Sequence, residues 1–235
     1  MSSPEAGPGF ALFGTAIGQC AIAWDHRGVT AVQLPEAAEP ATRARILQRV
    51  PDARLATPSQ EARRAVDGIV SLLDGEATDL SFVRLDMHAV PPFHRRVYEI
   101  ARTIPAGSTL TYGEVAARLG ATSAARAVGQ ALGRNPFPIV VPCHRVLAAG
   151  GKVGGFSANG GAATKLRLLE IEGARPAPLG DGDGAFGFDP LVAVERLRAA
   201  DPGLARLMDR IGPFDLTLET TPSIFAALAK AIVYQ

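Results

Sequence analysis

The apolar positions first follow the spacing of strands. Over residues 10–34, Leu12, Ile17, Ala21, Ile22, Trp24, Val29, Val32 and Leu34 are apolar, and Asp25-His26-Arg27-Gly28 supplies a turn. Helical spacing then takes over in residues 41–50 and 60–73, the second with Ala62, Val66, Ile69, Val70 and Leu73 on one side. Residues 80–85 predict one more strand, and Val90-Pro91-Pro92 breaks the pattern at a boundary. Beyond it, Val97, Ile100, Ala101 and Ile104 recur as one face of a helix over residues 93–104, which Pro105-Ala106-Gly107 stops. Thr111 is placed to cap a further helix, with Glu114 three residues on completing a capping box, and Gly120 ends it after Leu119. Ser123 is expected to cap a third helix over residues 124–132. Two short helices joined by a turn of about four residues have the dimensions of a helix-turn-helix, whose second helix lies in a DNA groove. Arg126 and Gln130 would be exposed on that helix; a plain packed helix pair gives the same pattern.

Residues 176–187, rich in Pro, Gly and Asp, read as a linker. Three further helices are expected over residues 190–200, 203–211 and 223–233. The organisation is therefore residues 1–92, residues 93–175, a linker, and a helical extension over residues 188–235.

Composition narrows the classes. At 47% apolar and 20% charged residues the chain is core-forming, which excludes wholesale disorder. Two cysteines exclude a disulfide scaffold and a four-cysteine zinc site. No apolar run reaches the roughly 18 residues of a bilayer span, and residues 1–9 do not read as a signal peptide. No membrane partner is expected. The expected location is cytoplasmic, nucleoid-associated in a prokaryote, where Cys20 and Cys143 stay free thiols. The net charge of +1 at first argues against a nucleic-acid partner. Its distribution reverses that reading. Residues 1–92 carry 8 basic and 11 acidic side chains, residues 93–175 carry 11 and 4, and residues 176–235 carry 5 and 8. The middle segment has the surplus that phosphate binding needs.

Chemistry concentrates in Asn135-Pro136-Phe137-Pro138-Ile139-Val140-Val141-Pro142-Cys143-His144-Arg145-Val146. A short apolar strand framed by prolines is expected to deliver Cys143, with His144 and Arg145 directly behind it. A thiol becomes a strong nucleophile as thiolate, a form that cationic or imidazole neighbours favour. His144 can serve as base if a carboxylate or water holds its tautomer. A buried structural cysteine beside a polar histidine is the alternative.

The run Pro142-Cys143-His144-Arg145-Val146, preceded by Asn135-Pro136 and followed by Gly154-Gly155-Phe156-Ser157, resembles the O6-alkylguanine-DNA alkyltransferases, or methylated-DNA–protein-cysteine methyltransferases. The resemblance covers residues 93–174 and, more weakly, 10–92. It implies an α+β fold, with a ribonuclease-H-like N-terminal domain followed by a winged helix-turn-helix alkyltransferase domain. It implies direct, stoichiometric transfer of an alkyl group from O6-alkylguanine (and O4-alkylthymine) in double-stranded DNA to Cys143 after the base is flipped out. In the resemblance, His144 activates Cys143 through a water, and Glu172 orients His144, with Glu170 as the nearby competitor. Tyr112 protonates the leaving guanine, and Asn135 braces the turn before the cysteine. Arg126 fills the gap left by the flipped base, within a DNA-docking set of Thr111, Ala127, Gly129 and Gln130. Val153, Gly154, Gly155, Phe156 and Ser157 form the loop over the base, and Lys165 and Arg145 complete the substrate pocket. Around Ala158-Asn159 the loop carries two residues beyond the family pattern, which bears on the alkyl groups that fit. No cofactor and no metal are expected, and a monomer is. A non-catalytic protein that binds alkylated bases is the alternative; relatives of that kind lack the cysteine.

The family pattern ends near Ala174. Asp201-Pro202-Gly203-Leu204-Ala205, Ile211-Gly212-Pro213-Phe214 and residues 225–235 resemble the opening helices of 3-methyladenine-type helix-hairpin-helix DNA glycosylases. The hairpin and catalytic aspartate of such a domain have no counterpart, so no glycosylase activity is expected.

Overall fold

The structure, a computed structural model, describes residues 7–174. The linker, the three helices after it and the glycosylase-like stretch expected from the sequence lie outside the described residues.

The architecture is α+β. Strands β1 (Gly9–Thr15), β2 (Gly18–Asp25) and β3 (Gly28–Gln33) form an antiparallel meander, and β4 (Arg54–Leu55) adds to β1 in parallel, giving the order β3-β2-β1-β4. Helix α1 (Glu39–Arg49) packs on β2 and β3, and α2 (Gln60–Leu73) packs on β1, β2 and β3. The alternation of side chains along β2 explains how one strand serves two layers. Ala21 and Ala23 join Phe10, Ala31 and Ile46 of α1 in one cluster. Cys20, Ile22 and Trp24 point the other way and pack with Ile69 and Leu72 of α2. Small residues on the α1 side let that helix lie close to the sheet. Gly28, at φ +134°, closes the β2–β3 turn under the Arg84 carbonyl, which a Cβ would strike at 2.5 Å.

The second half begins with α3 (Pro92–Arg102), then β5 (Leu110–Thr111), α4 (Tyr112–Arg118), α5 (Ala125–Gly133), β6 (Val146–Leu147) and α6 (Ala162–Ile171). The main core cluster runs through both halves, from Ile22 and Ile69 to Val97, Val128, Val141 and Leu168.

Three expectations are corrected. Residues 80–85 are not a strand. Val29 N–H donates to Arg84 O and Asp86 N–H to Val29 O, leaving one isolated bridge to β3. The carbonyls of Leu80, Ser81 and Val83 instead accept from the Arg102 guanidinium, which takes the place of a neighbouring strand. Ser123 is not the cap of α5. Thr122–Ala124 form a 3-10 turn, Ala124 is the N-cap without a side-chain bond, and its N–H donates to Ala121 O. The segment before Cys143 is a turn rather than a strand. Pro136, Pro138 and Pro142 have no N–H to give a ladder. The segment closes on itself through Val141 N–H to Phe137 O at 2.8 Å, with Ile139 at φ +72°.

Candidate active site

Two local devices bring the site together. Strands β5 and β6 pair in parallel, Leu110 with Val146 and Thr111 with Leu147. This sets the start of α4, and so Tyr112, beside the 3-10 turn Cys143–Arg145. The capping box of α4 is complete: Glu114 N–H donates to Thr111 Oγ1 at 3.2 Å, and Thr111 N–H to Glu114 Oε2 at 2.6 Å. At the other end, α6 closes in a Schellman motif. Gly173, at φ +71°, donates to Glu170 O, and Ala174 N–H reaches back to Leu169 O. That closure turns the C-cap residue, Glu172, inward. Glu170, two positions back and therefore on another face, is 66% exposed beside Arg167.

His144 is fully buried, and its Nε2 lies 2.9 Å from Glu172 Oε1. Glu172 is also held by Arg145, Nε to Oε2 and Nη2 to Oε1, both at 2.8 Å. Burial alone would raise the Glu172 pKa; the hydrogen bonds from His144 and Arg145 outweigh it and hold the carboxyl at about 2. Burial pushes the imidazole down, against Glu172, so His144 rests neutral with its proton on Nε2. Nδ1 is then an acceptor, and it is buried without a hydrogen-bond partner among the described residues. Burial raises the Cys143 thiol, while the Asn135 amide and the Lys165 ammonium oppose the rise. The balance favours the protonated thiol at Cys143.

Asn135 uses both ends of its amide on the turn: Nδ2 donates to Val141 O and Oδ1 accepts from Phe137 N–H, both at 2.9 Å. Lys165 is buried, with Nζ donating to Val146 O at 2.6 Å and lying 5.7 Å from the centroid of the Tyr112 ring. Burial lowers its pKa to about 8, with the Cys143 charge opposing. Tyr112 is half-buried, and burial and the Cys143 charge push its phenol up. A Cβ at Gly154 would come within 3.3 Å of its Oη, and one at Gly129 within 3.8 Å of its ring. The loop and α5 thus approach Tyr112 at glycines. Arg126 and Gln130 are exposed on α5, with Ala127 half-buried between them.

Cys143 opens on a cavity it shares with Asn135, Pro138, Phe156 and Ser157. Val153, Gly154 and Gly155 do not line it. Gln33, Glu36, Arg45 and Arg49 do, although they come from the first half of the chain. Sequence reasoning missed them because nothing local in β3, α1 or the segment between them marks a residue that will face a cysteine some hundred positions on. Arg145 is corrected: its guanidinium is committed to Glu172 and the Ile104 carbonyl, and it lines a separate cavity with Ile104 and Pro142. It anchors the Glu172 carboxylate and does not line the Cys143 cavity.

The fold and site define a class: an α+β protein whose reactive group is its own buried cysteine, backed by a histidine–glutamate pair. Residues 92–174 match the model of the 6-O-methylguanine DNA methyltransferase, DNA binding domain. The methylated-DNA–protein-cysteine methyltransferase of Methanothermobacter thermautotrophicus is 39% identical over 152 residues, 65% of this chain and 78% of that protein. The crystal structure of the Mycobacterium tuberculosis O6-methylguanine methyltransferase superposes with a TM-score of 0.56 at 36% identity, covering 73% of this chain and 97% of that one. The structure of the M. tuberculosis OGT in complex with DNA gives 0.55 at 34% identity, covering 72% and 95%. The chain belongs to the methylated-DNA–protein-cysteine methyltransferase family.

Proposed function

We propose that this protein repairs duplex DNA by moving the alkyl group of O6-alkylguanine onto Sγ of Cys143, once per molecule. The observation that carries the reading is the buried His144–Glu172 pair, which fixes the histidine tautomer and leaves Nδ1 free to receive the thiol proton through a water. The thiolate attacks the carbon bonded to O6, the carbon–oxygen bond breaks with its electron pair going to guanine, and Tyr112 supplies a proton to the ring. The thioether left on Cys143 is a poor leaving group, so the protein is consumed.

The reacting oxygen lies inside the duplex, so the base must leave the stack. Helices α4 and α5 are read as a helix-turn-helix that docks DNA, with Arg126 and Gln130 on its exposed face. Arg126 fills the vacated position, and Ser157, in the Cys143 cavity, faces O6.

The test is the intact mass of the protein after mixing with a duplex carrying one O6-methylguanine. The expected result is a gain of one CH2 on Cys143, absent in Cys143→Ser. An unmodified wild-type protein that still binds the duplex would support the non-catalytic alternative and overturn the proposal.

A further inference from the structure

Helix α3 has no part in the reaction described so far, yet it holds both α4 and α5. Its buried residues Val97, Tyr98 and Ala101 share one core with Val115 and Ala116 of α4 and Val128 and Ala131 of α5. Apolar packing sets the distance between helices but is non-directional, so it specifies their rotation and sliding weakly. Two side chains of α3 add direction. Arg96 Nη2 donates to the carbonyl of Leu119, the C-cap of α4, at 2.9 Å. Tyr98 Oη donates to the carbonyl of Ala131, in the last turn of α5, at 2.9 Å. Both acceptors lie where helix carbonyls have no partner four residues on. Residues two apart on a helix are turned by about 200°, so α3 reaches the two helices from different sides of its own axis.

The two bonds are unequal. Arg96 is exposed. Tyr98 and Ala131 are both fully buried, so their bond forms in a dry core, where a hydrogen bond is electrostatically stronger. Ala131 also stands between the two working ends of this segment. It lies five residues after Arg126, about 7.5 Å along α5, and four before Asn135, the brace of the cysteine turn. Tyr98 lines a cavity with Arg134, Pro136 and Phe137, the residues that lead from α5 into that turn.

We infer that Tyr98 is a positioning residue for duplex repair, its hydroxyl fixing α5 against the Cys143 turn, with Arg96 holding α4 in a lesser degree. This rests on the alkyl-transfer reading and on α4 and α5 as the pair that docks DNA. Extruding a base works against stacking and pairing. The load falls on α5 through Arg126. A helix free to turn or slide would yield to it, and the base would arrive off the line of Sγ, where small displacements are costly. A free base loads no helix.

The test is single-turnover transfer at saturating protein from a duplex carrying one O6-methylguanine, and from free O6-benzylguanine. Wild type, Tyr98→Phe, Arg96→Met and Arg96→Lys are compared, with melting temperatures alongside. Tyr98→Phe keeps the ring and removes only the hydroxyl. Its maximal duplex rate is expected to be about fivefold lower, the loss of one directional hydrogen bond, with the free-base rate unchanged. Arg96→Met should show a smaller loss of the same kind, restored in Arg96→Lys. In an Arg126→Ala background, Tyr98→Phe should make no further difference, because the side chain that loads α5 is gone. An unchanged duplex rate, an equal loss on both substrates, or a loss that adds in full to that of Arg126→Ala overturns the proposal. Wild type that takes an alkyl group from neither substrate overturns the transfer reading and this proposal with it, and that shows before any variant is compared.

Discussion

Arg145 meets Glu172 as a two-pronged ion pair, with both contacts at 2.8 Å and the side chains 8% and 3% exposed. The residue next to the nucleophile's histidine thus holds the far side of the carboxylate that orients it. Arg145→Ala is expected to cost about 3 kcal/mol of stability, because it leaves Glu172 and the Ile104 carbonyl without their partner in a dry site. Denaturant unfolding measures this. Transfer should slow as well, since the carboxylate would be free to turn away from His144.

The Glu172 carboxyl makes stability acid-sensitive. Its folded value of about 2 lies below the unfolded value of roughly 4.3. The group's contribution is therefore fully present above about pH 4.3 and is lost as pH falls toward 2. It amounts to roughly 3 kcal/mol. Unfolding free energies from pH 6 to pH 2 should show this decline in wild type and a shallower one in Glu172→Gln, which has no carboxylate at that position to protonate. Parallel curves would mean that another carboxylate governs the acid limb.

Lys165 gives a second window of the same sign at alkaline pH. Its folded value of about 8 lies below roughly 10.4 for an exposed lysine. Between those values the unfolded chain binds more protons, so stability rises with pH across that window. Lys165→Met should abolish this rise. The same variant removes the ammonium that opposes the upward push on the Cys143 thiol. Its rate of alkylation by iodoacetamide at neutral pH should drop several-fold. A rate equal to wild type would remove Lys165 from the electrostatics of the thiol.

How much of this was legible in the sequence depended on how local each cause was. The capping box of Thr111 and Glu114, the paired strands around the Asp25–Gly28 turn and α2 follow from nearest-neighbour rules, and the structure has all of them, with a further turn at Thr15–Gly18 that splits the first strand stretch in two. The choice of Glu172 over Glu170 came from the family pattern, and its physical basis is the Schellman closure at Gly173. What stayed hidden was long-range. Arg102 from α3 serves the carbonyls of residues 80–83, so an apolar run that looks like a strand has no need of a ladder. Prolines around Ile139 turn another apolar run into a loop. The family resemblance gave Arg145 to the substrate pocket, but its partners, Ile104 and Glu172, lie 41 and 27 positions away.

Asn135 is the brace of the turn that presents the cysteine. Asn135→Ala would leave the Val141 carbonyl and the Phe137 N–H buried without partners. Each such group costs about 1–3 kcal/mol. A lower melting temperature is expected together with slower transfer. Asn135→Asp keeps the acceptor, so it should recover part of the stability while adding a negative charge near the thiol. A variant that recovers stability without recovering transfer is the expected pattern, and equal recovery of both would confine Asn135 to a structural part.

Arg126 tests whether the duplex is opened. It is exposed on α5, and no hydrogen bond or ion pair within the described residues employs it. Arg126→Ala should therefore leave fold and thiol chemistry intact. If its side chain occupies the place of the extruded base, its loss penalises only substrates that must be unstacked. Repair of an O6-methylguanine duplex is expected to fall by an order of magnitude or more, while reaction with free O6-benzylguanine stays near wild type. Both variant and wild type should lose affinity for the duplex as salt rises, because phosphate contacts lose their counterion-release advantage. Equal losses on duplex and free base would place Arg126 in the pocket, and no loss on either would take α5 out of the repair reaction.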